Sequence, residues 1–282
     1  MDVVVPFGGK ALGPVLARAG ALQLREGDTV TVVDNRARPE QAAALPPGVR
    51  LVAAPEVASS YFARNAGARA GRAPWILFLD ADVEPPPDHL DRLLDPPPAE
   101  RVAVVAGEVL DEEPRPGDPP AVRWAWLRRS MSQGGLRDGF AETANCAIRR
   151  AAFEAAGGFR EHVRSGGDAD LGFRLRAAGW ELELREQAAV VHRSRRTIAR
   201  LLAQQAKHGS GAGWMAREHP GSFPARSLPG VVRWGLRRAA AGIAARRRGD
   251  RDEAVVALLD GPTLLAFELG RRLVPNRARQ RR

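Results

Sequence analysis

The stretch Trp75-Ile76-Leu77-Phe78-Leu79-Asp80-Ala81-Asp82-Val83-Glu84-Pro85-Pro86-Pro87 decides how the rest of this chain is read. Ile76 to Leu79 form a continuous apolar run behind Gly71 and Pro74, the pattern of a central strand buried on both faces. Asp80 and Asp82 follow at once, and the three prolines forbid continuation of the strand. Open parallel sheets collect ligands at the carboxyl ends of their strands. One intervening residue lets both carboxylates serve the same hard cation or cation-bound diphosphate. The plainer reading is that these acids only cap the helix that follows.

Working outward, strands and helices alternate, which predicts an α/β fold with a parallel sheet. Val3 to Phe7 reads as a buried strand, Leu12 to Leu24 as a helix, and Thr29 to Val33 as a strand that ends in Asp34-Asn35. Leu51 to Ala53 is a brief strand. Ser59 to Ala70 is a small-residue helix that carries Arg64 and Asn65 into the Trp75 strand. After Pro87 come a helix to Leu94, a strand over Val102 to Val109, and an acidic, proline-rich loop from Asp111 to Pro120.

From Ala121 aromatic residues mix with arginines. Trp124 and Trp126 suit an acceptor held by stacking and charge, or equally a helix packed on the sheet. Thr143 to Arg149 is strand-like and includes Asn145, a further acceptor-side candidate. Asp168 falls where a helix N-cap belongs, with the helix running from Asp170 to Ala178. Trp180 to Leu184 and Ala188 to Val191 are expected to finish the sheet, with His192 at its end.

Beyond Ser194 the sequence predicts a helix from Thr197 to Lys207, a glycine break at Gly209, Gly211 and Gly213, and a linker from Pro220 to Pro229. Val231 to Arg248 places Val232, Leu236, Ala239 and Ile243 on one side among arginines. That suits either a membrane-surface helix on anionic lipid or a solvated helix packed on the catalytic domain. The expected division is 1–195 as one α/β domain, in two halves over about 1–110 and about 111–195. Residues 196–282 then form a basic helical extension.

The chain has 282 residues, 44% hydrophobic and 27% charged, so it can bury a large core. Its formal net charge is +10, carried almost wholly by arginine, since Lys10 and Lys207 are the only lysines. Arginine favours phosphate partners, although no nucleic-acid-binding motif is present. The single cysteine, Cys146, rules out an intrachain disulfide and a cysteine-rich zinc site. The sequence lacks a signal-peptide pattern and an apolar run of transmembrane length. The expectation is a cytoplasmic protein, peripheral at the inner face of the cell membrane.

Taken together, Val3–Phe7, Val32-Val33-Asp34-Asn35, Ala63-Arg64-Asn65-Ala66-Gly67, Phe78–Asp82, and Gly157–Glu161 with Gly166–Leu171 resemble, in order, the motifs of the family 2 inverting glycosyltransferases. The resemblance covers roughly Val3 to Arg193. It implies the GT-A nucleotide-diphospho-sugar transferase fold, a mostly parallel mixed sheet flanked by helices. It also implies a nucleotide-sugar donor, most often UDP-linked, a Mg2+ or Mn2+ ion, and a hydroxyl-bearing acceptor that is lipid-linked or a glycan.

On that reading 1–195 is the catalytic domain, its nucleotide-binding half over about 1–110 and its acceptor-binding half over about 111–195, and Pro6, Phe7, Asp34, Arg64 and Asp80 bind the donor. Asp82 and His192 hold the metal, and Asp168 is the catalytic base, with Glu161 the next residue to test. Asp170 reads as an ordinary first-turn carboxylate. Phe7 replaces the usual small hydroxyl residue, and Gly167 stands where a Glu is common, which removes a helper carboxylate. Two rivals remain: a non-catalytic nucleotide-sugar-binding protein, and a haloacid-dehalogenase-type phosphatase, whose Asp nucleophile normally follows the first strand.

Overall fold

The computed structural model describes residues 1–40 and 44–281. In chain order the elements are β1 (Asp2–Phe7), α1 (Gly13–Gly20), β2 (Thr29–Asp34), β3 (Val49–Ala53), α2 (Ser60–Arg69), β4 (Trp75–Leu79) and β5 (Val83–Glu84). Next come α3 (His89–Leu94), β6 (Val102–Asp111), α4 (Pro120–Arg128), a 3-10 segment (Gln133–Asp138), β7 (Asn145–Arg149), α5 (Arg150–Ala155), α6 (Gly167–Ala177) and β8 (Glu181–His192). The helices α7 (Ile198–Glu218), α8 (Leu228–Arg247) and α9 (Arg251–Leu273) complete the order.

The strands form one mixed sheet, β3-β2-β1-β4-β7-β6-β8-β5. Parallel pairing joins β3, β2, β1 and β4, whereas β4–β7, β6–β7 and β5–β8 pair antiparallel. The apolar runs that predict buried central strands are the ones buried: Val3, Val4, Ile76, Leu77 and Phe78 have no exposed surface. On the neighbouring helix, a Cβ at Gly67 would lie 2.4 Å from Val4, so glycine lets α2 lie close over β1. Ser59 caps α2, accepting from the Tyr61 N–H at 3.2 Å and donating to the Val163 carbonyl at 2.9 Å.

By compactness the chain divides into two units. Unit 1 comprises Met1–Val109, Ser132–His192 and the stretch from Arg277 on; unit 2 comprises Leu110–Met131 and Arg193–Asn276. A linear break at 195/196 does not describe this, because the chain leaves unit 1 early and comes back at its end. The return is hydrogen-bonded. Ala278 N–H donates to the His162 carbonyl at 2.7 Å, and Arg281 N–H to that of Glu56 at 2.7 Å. The Arg281 guanidinium reaches the Asn35 carbonyl at 2.6 Å.

Several local readings are corrected. Glu181–His192 form one strand, and between its two apolar stretches Arg185 is buried, donating to the Pro96 carbonyl at 2.9 Å. Helix α7 runs through Gly209, Gly211 and Gly213 without a break. Gly209 and Gly213 face α9, and Gly270 of α9 faces back: a Cβ at Gly209 would lie 1.8 Å from the Phe267 carbonyl oxygen, and one at Gly270 2.1 Å from that of Ala206. Backbones this close admit no side chain, and burial of the helix pair outweighs the poor helix propensity of glycine. Residues 120–128 are helical and pack in unit 2, where Ala121, Trp124 and Ala125 join Leu201 and Leu259 in a core.

Candidate active site

The carboxyl end of β4 organises the site in unit 1. Asp80 follows the end of β4 and is held by backbone, its N–H donating to the Ala144 carbonyl at 3.2 Å. Arg18 of α1 donates to the Ala81 carbonyl at 2.5 Å and fixes the turn between the two acids. The Asp80 carboxylate takes a short ion pair from Arg64, whose side chain is buried on α2 and also lies 5.6 Å from the centre of the Tyr61 ring.

Asp82 meets His192 through sheet register. Strand β5 begins immediately after Asp82 and pairs antiparallel with β8 so that Val83 stands opposite His192. This brings His192 Nε2 within 3.6 Å of Asp82 Oδ2. Among the described residues no three His, Cys, Asp or Glu side chains gather as a metal cage. The Asp82 carboxylate fits Mg2+ or Mn2+ when phosphate and water oxygens complete the shell, and the neighbouring imidazole suits Mn2+, the more transition-metal-like of the two.

Asp168 lies in the first turn of α6, not at its N-cap. Gly166, at a φ of 84°, takes the cap position because only glycine enters a helix from that conformation without strain. The Asp168 carboxylate accepts from the Tyr61 hydroxyl at 3.2 Å. Burial, then the Asp168 charge, holds the Tyr61 phenol well above its ordinary value, so it is a donor at neutral pH. Glu142, on the turn before β7, is hydrogen-bonded to Asp168, a contact with no signal in the sequence.

Asp170 is not an ordinary first-turn carboxylate. It is buried and accepts from Arg174 Nε at 2.9 Å and Nη2 at 2.7 Å, while Arg174 also donates to the Gly158 carbonyl at 2.8 Å. Glu161 is taken up by Asn65 at 2.9 Å and Arg69 at 3.3 Å, which ties the 157–161 segment to α2.

The other expected donor residues sit at neighbouring strand ends. Phe7 pairs in register with Asp34, and Pro6 with Val33. Phe7 and Asp34 are both buried, and Arg36 closes them off. Its guanidinium lies 4.9 Å from the Phe7 ring centre and contacts both Asp34 oxygens, at 2.9 and 2.6 Å. Burial raises the Asp34 carboxyl, but hydrogen bonds from Arg36 and the Glu40 N–H outweigh it and leave the group below the usual range. Arg36 escaped the sequence reading, although its position two residues after Asp34 is the available signal.

The acceptor-side expectations change. Asn145 has no exposed surface; its amide donates to the Ala188 and Glu108 carbonyls at 2.7 and 3.1 Å. Its carbonyl faces His89 Nε2 at 2.8 Å. Burial holds that imidazole down at about 4, so it stays neutral and donates. Asn145 is thus a sheet pin with nothing left for an acceptor. Trp124 belongs to unit 2, where its Nε1 donates to the buried Asp260 at 3.0 Å. It lines an open groove of about 500 Å3 with Arg128, Arg226, Trp234 and Phe267. Trp126 is exposed on the same helix.

Residues 10–157, a little over half of the chain, match the family described as Glycosyl transferase family 2. The pre-mycofactocin glycosyltransferase of Mycobacterium tuberculosis is 31% identical over 166 residues, 56% of this chain and 35% of that protein. Glycosyltransferase AglE of Haloferax volcanii is 28% identical over 156 residues, 55% of this chain and 51% of that one. The chain therefore spans about a third to a half of the length of these curated relatives. Among solved structures it is similar to the mannosyltransferase PcManGT from Pyrobaculum calidifontis in complex with GDP-Man and Mn2+, at 16% identity and a TM-score of 0.57, over 93% of this chain and 86% of that one. It is also similar to GalNAc-T7 with UDP, GalNAc and Mn2+, at 14% identity and a TM-score of 0.51, over 70% of this chain and 43% of that one. These likenesses show a GT-A fold, and the match over residues 10–157 displaces the phosphatase reading. This chain belongs to glycosyl transferase family 2.

Proposed function

We propose that the chain transfers a sugar from a nucleoside-diphosphate donor, a UDP-sugar in the first instance, to an acceptor hydroxyl with inversion at the anomeric carbon. The observation that carries this is the gathering of three pairs in unit 1 of a family 2 chain: Asp80 with Arg64, Asp82 with His192, and Asp168 with Tyr61. Arg64 and Asp80 would orient the donor. Asp168 would take the proton of the attacking hydroxyl as its oxygen bonds to the anomeric carbon, and the bond to the diphosphate oxygen breaks on the opposite face. Asp82 and His192 would hold a Mg2+ or Mn2+ ion, which when bound offsets the charge of the departing diphosphate. The Mn2+ in both similar solved structures supports that choice.

The deciding experiment measures nucleotide release from a panel of UDP- and GDP-sugars, with calorimetry of UDP and GDP binding beside it. Release that needs a divalent ion, and binding that weakens on chelation and in Asp82→Asn, supports the reading. Tight donor binding without turnover on any donor favours the non-catalytic binding protein instead.

For unit 2 we propose a peripheral seat on an anionic bilayer, at the inner face of the cell membrane. Helix α8 packs inward through Val231, Gly242 and Ala245, so the stripe Val232, Leu236 and Ile243 is left exposed, Leu236 at 68%. Arg233, Arg237, Arg246 and Arg247 are exposed on the same helix, which has no acidic residue. Apolar side chains among arginines complement anionic headgroups above acyl chains. No described helix is long and apolar enough to cross a membrane.

A further inference from the structure

Glu142 is placed by a built scaffold. The side chain of Gln133 is 4% exposed and clamps the turn that carries it. Gln133 Oε1 accepts from the Glu142 N–H at 2.8 Å. Its Nε2 is within 3.0 to 3.2 Å of the carbonyls of Gly107, Glu142 and Asn145. Two residues on, the Ala144 carbonyl accepts from Asp80, so the turn is tied to the motif after β4 as well. From this turn the Glu142 carboxyl reaches the Asp168 carboxylate.

Two carboxyl groups in hydrogen-bond contact cannot both ionise without strong repulsion, so one keeps its proton. Asp168 already accepts from two donors, the Tyr61 hydroxyl at 3.2 Å and the Ala169 N–H at 3.1 Å. Burial first, then the charges of Asp168 and Asp80, push the Glu142 carboxyl well above the ordinary range, with Arg64 offsetting part of this. The proton therefore sits on Glu142.

We infer that Glu142 is a positioning residue for the base: protonated, it donates to the Asp168 carboxylate and, together with Tyr61, fixes that carboxylate for the attacking hydroxyl. The inference rests on the reading of Asp168 as base. In the step itself the acceptor proton goes to Asp168, the new oxygen–carbon bond forms, and the donor's bonding pair leaves with the nucleoside diphosphate. Glu142 keeps its own proton throughout. The same pair supplies a second carboxyl beside the base although position 167 is glycine, where the Tyr61 ring leaves a Cβ only 2.9 Å.

The charged and titratable groups facing Glu142 are Asp168 on α6, Asp80 after β4, Arg64 with Tyr61 on α2, and the Cys146 thiol on β7, which burial pushes far above its ordinary value and keeps neutral. Loss of the Glu142 proton in alkali would set two carboxylates against each other and release Asp168. The rate should then fall on the alkaline side.

The test uses the full chain with Mn2+ and UDP-glucose or GDP-mannose, water serving as acceptor, and follows nucleotide release against pH. Glu142→Ala should lower kcat roughly 10- to 100-fold with little change in donor KM, the usual cost of a misplaced catalytic group. Glu142→Gln keeps a donor to Asp168 without titrating, so it should restore much of that loss and remove the alkaline fall. Infrared difference spectra need no turnover: at neutral pH the protonated-carboxyl band should vanish in Glu142→Gln and shift in Asp168→Asn. A wild-type rate and pH profile in Glu142→Ala, or no carboxylic-acid band lost in Glu142→Gln, overturns the inference. Failure of the underlying base reading looks different: Asp168→Asn would release nucleotide at the wild-type rate while the infrared band still reports the pair.

Discussion

Tyr61 and Gly167 fit against each other: a Cβ built on Gly167 would lie 2.9 Å from Cε2 and Cζ of the Tyr61 ring. The ring that excludes a side chain at 167 is the one whose hydroxyl reaches Asp168. Gly167→Glu should therefore overpack α2 against α6 and cost about 1–3 kcal/mol. Tyr61→Ala should relieve much of that cost. Denaturant unfolding of the two single variants and the double variant measures the coupling, and additive losses would show that the contact is not the cause.

Asp168 and Asp170 are neighbours with opposite expected phenotypes. Asp168→Asn should fold as wild type and bind donor, while nucleotide release falls by roughly two to four orders of magnitude, the usual worth of a general base. Asp170→Ala removes the buried partner of Arg174 and should destabilise by about 3–5 kcal/mol. Thermal unfolding and single-turnover rates of the pair separate the two roles.

Glycine in a helix ordinarily costs stability relative to alanine, by about 1 kcal/mol. In α7 and α9 the sign should invert. Gly209→Ala and Gly270→Ala put a methyl group onto backbone oxygen at 1.8 and 2.1 Å, so both should lower the Tm by several degrees. Gly13, with open space around its Cβ position, is the control and should tolerate alanine. Equal Tm values across the three would refute the close approach.

Asp2 gives the fold a pH dependence. Its carboxylate is buried and accepts from Thr29, the Ala73 N–H and Arg150, each at 2.7 Å. Burial raises its pKa, yet those hydrogen bonds and the Arg150 charge bring it below the ordinary 3.8. A depressed carboxylate adds stability above its unfolded pKa and loses it as pH falls through the folded one. The gap in stability between wild type and Asp2→Asn should be full at neutral pH and close in acid below about pH 4. Urea titrations at several pH values check this, and a gap that widens in acid would contradict it.

For α8, sedimentation with phosphatidylglycerol vesicles should show binding that weakens with salt and is lost in Leu236→Glu with Ile243→Glu. Neutral phosphatidylcholine vesicles should bind little. Equal pelleting with both lipids would remove the electrostatic part of the reading.

Much of the candidate site is placed by the sequence at strand and helix ends, because local patterns mark those ends. Asp80 and Asp82 follow β4, Asp168 opens α6 and His192 ends β8, and the order of the motifs identified the family. Local chemistry could not show what meets across the fold. The Glu142–Asp168 contact joins residues from separate elements, and Gln133, which places Glu142, has no motif of its own. Asn145 reads in sequence as an acceptor-side group and Asp170 as an ordinary first-turn carboxylate, until burial shows them bound to the Ala188 carbonyl and to Arg174. Glycines in α7 signal a break when only propensity is weighed, and close packing when α9 lies alongside. The return of the chain from Arg277 to unit 1 is likewise a matter of backbone pairing, with no mark in composition. Sequence determined which elements form, since periodicity and turn residues act over a few positions. Tertiary structure decided which polar groups remain for chemistry, since that depends on partners contributed from far along the chain.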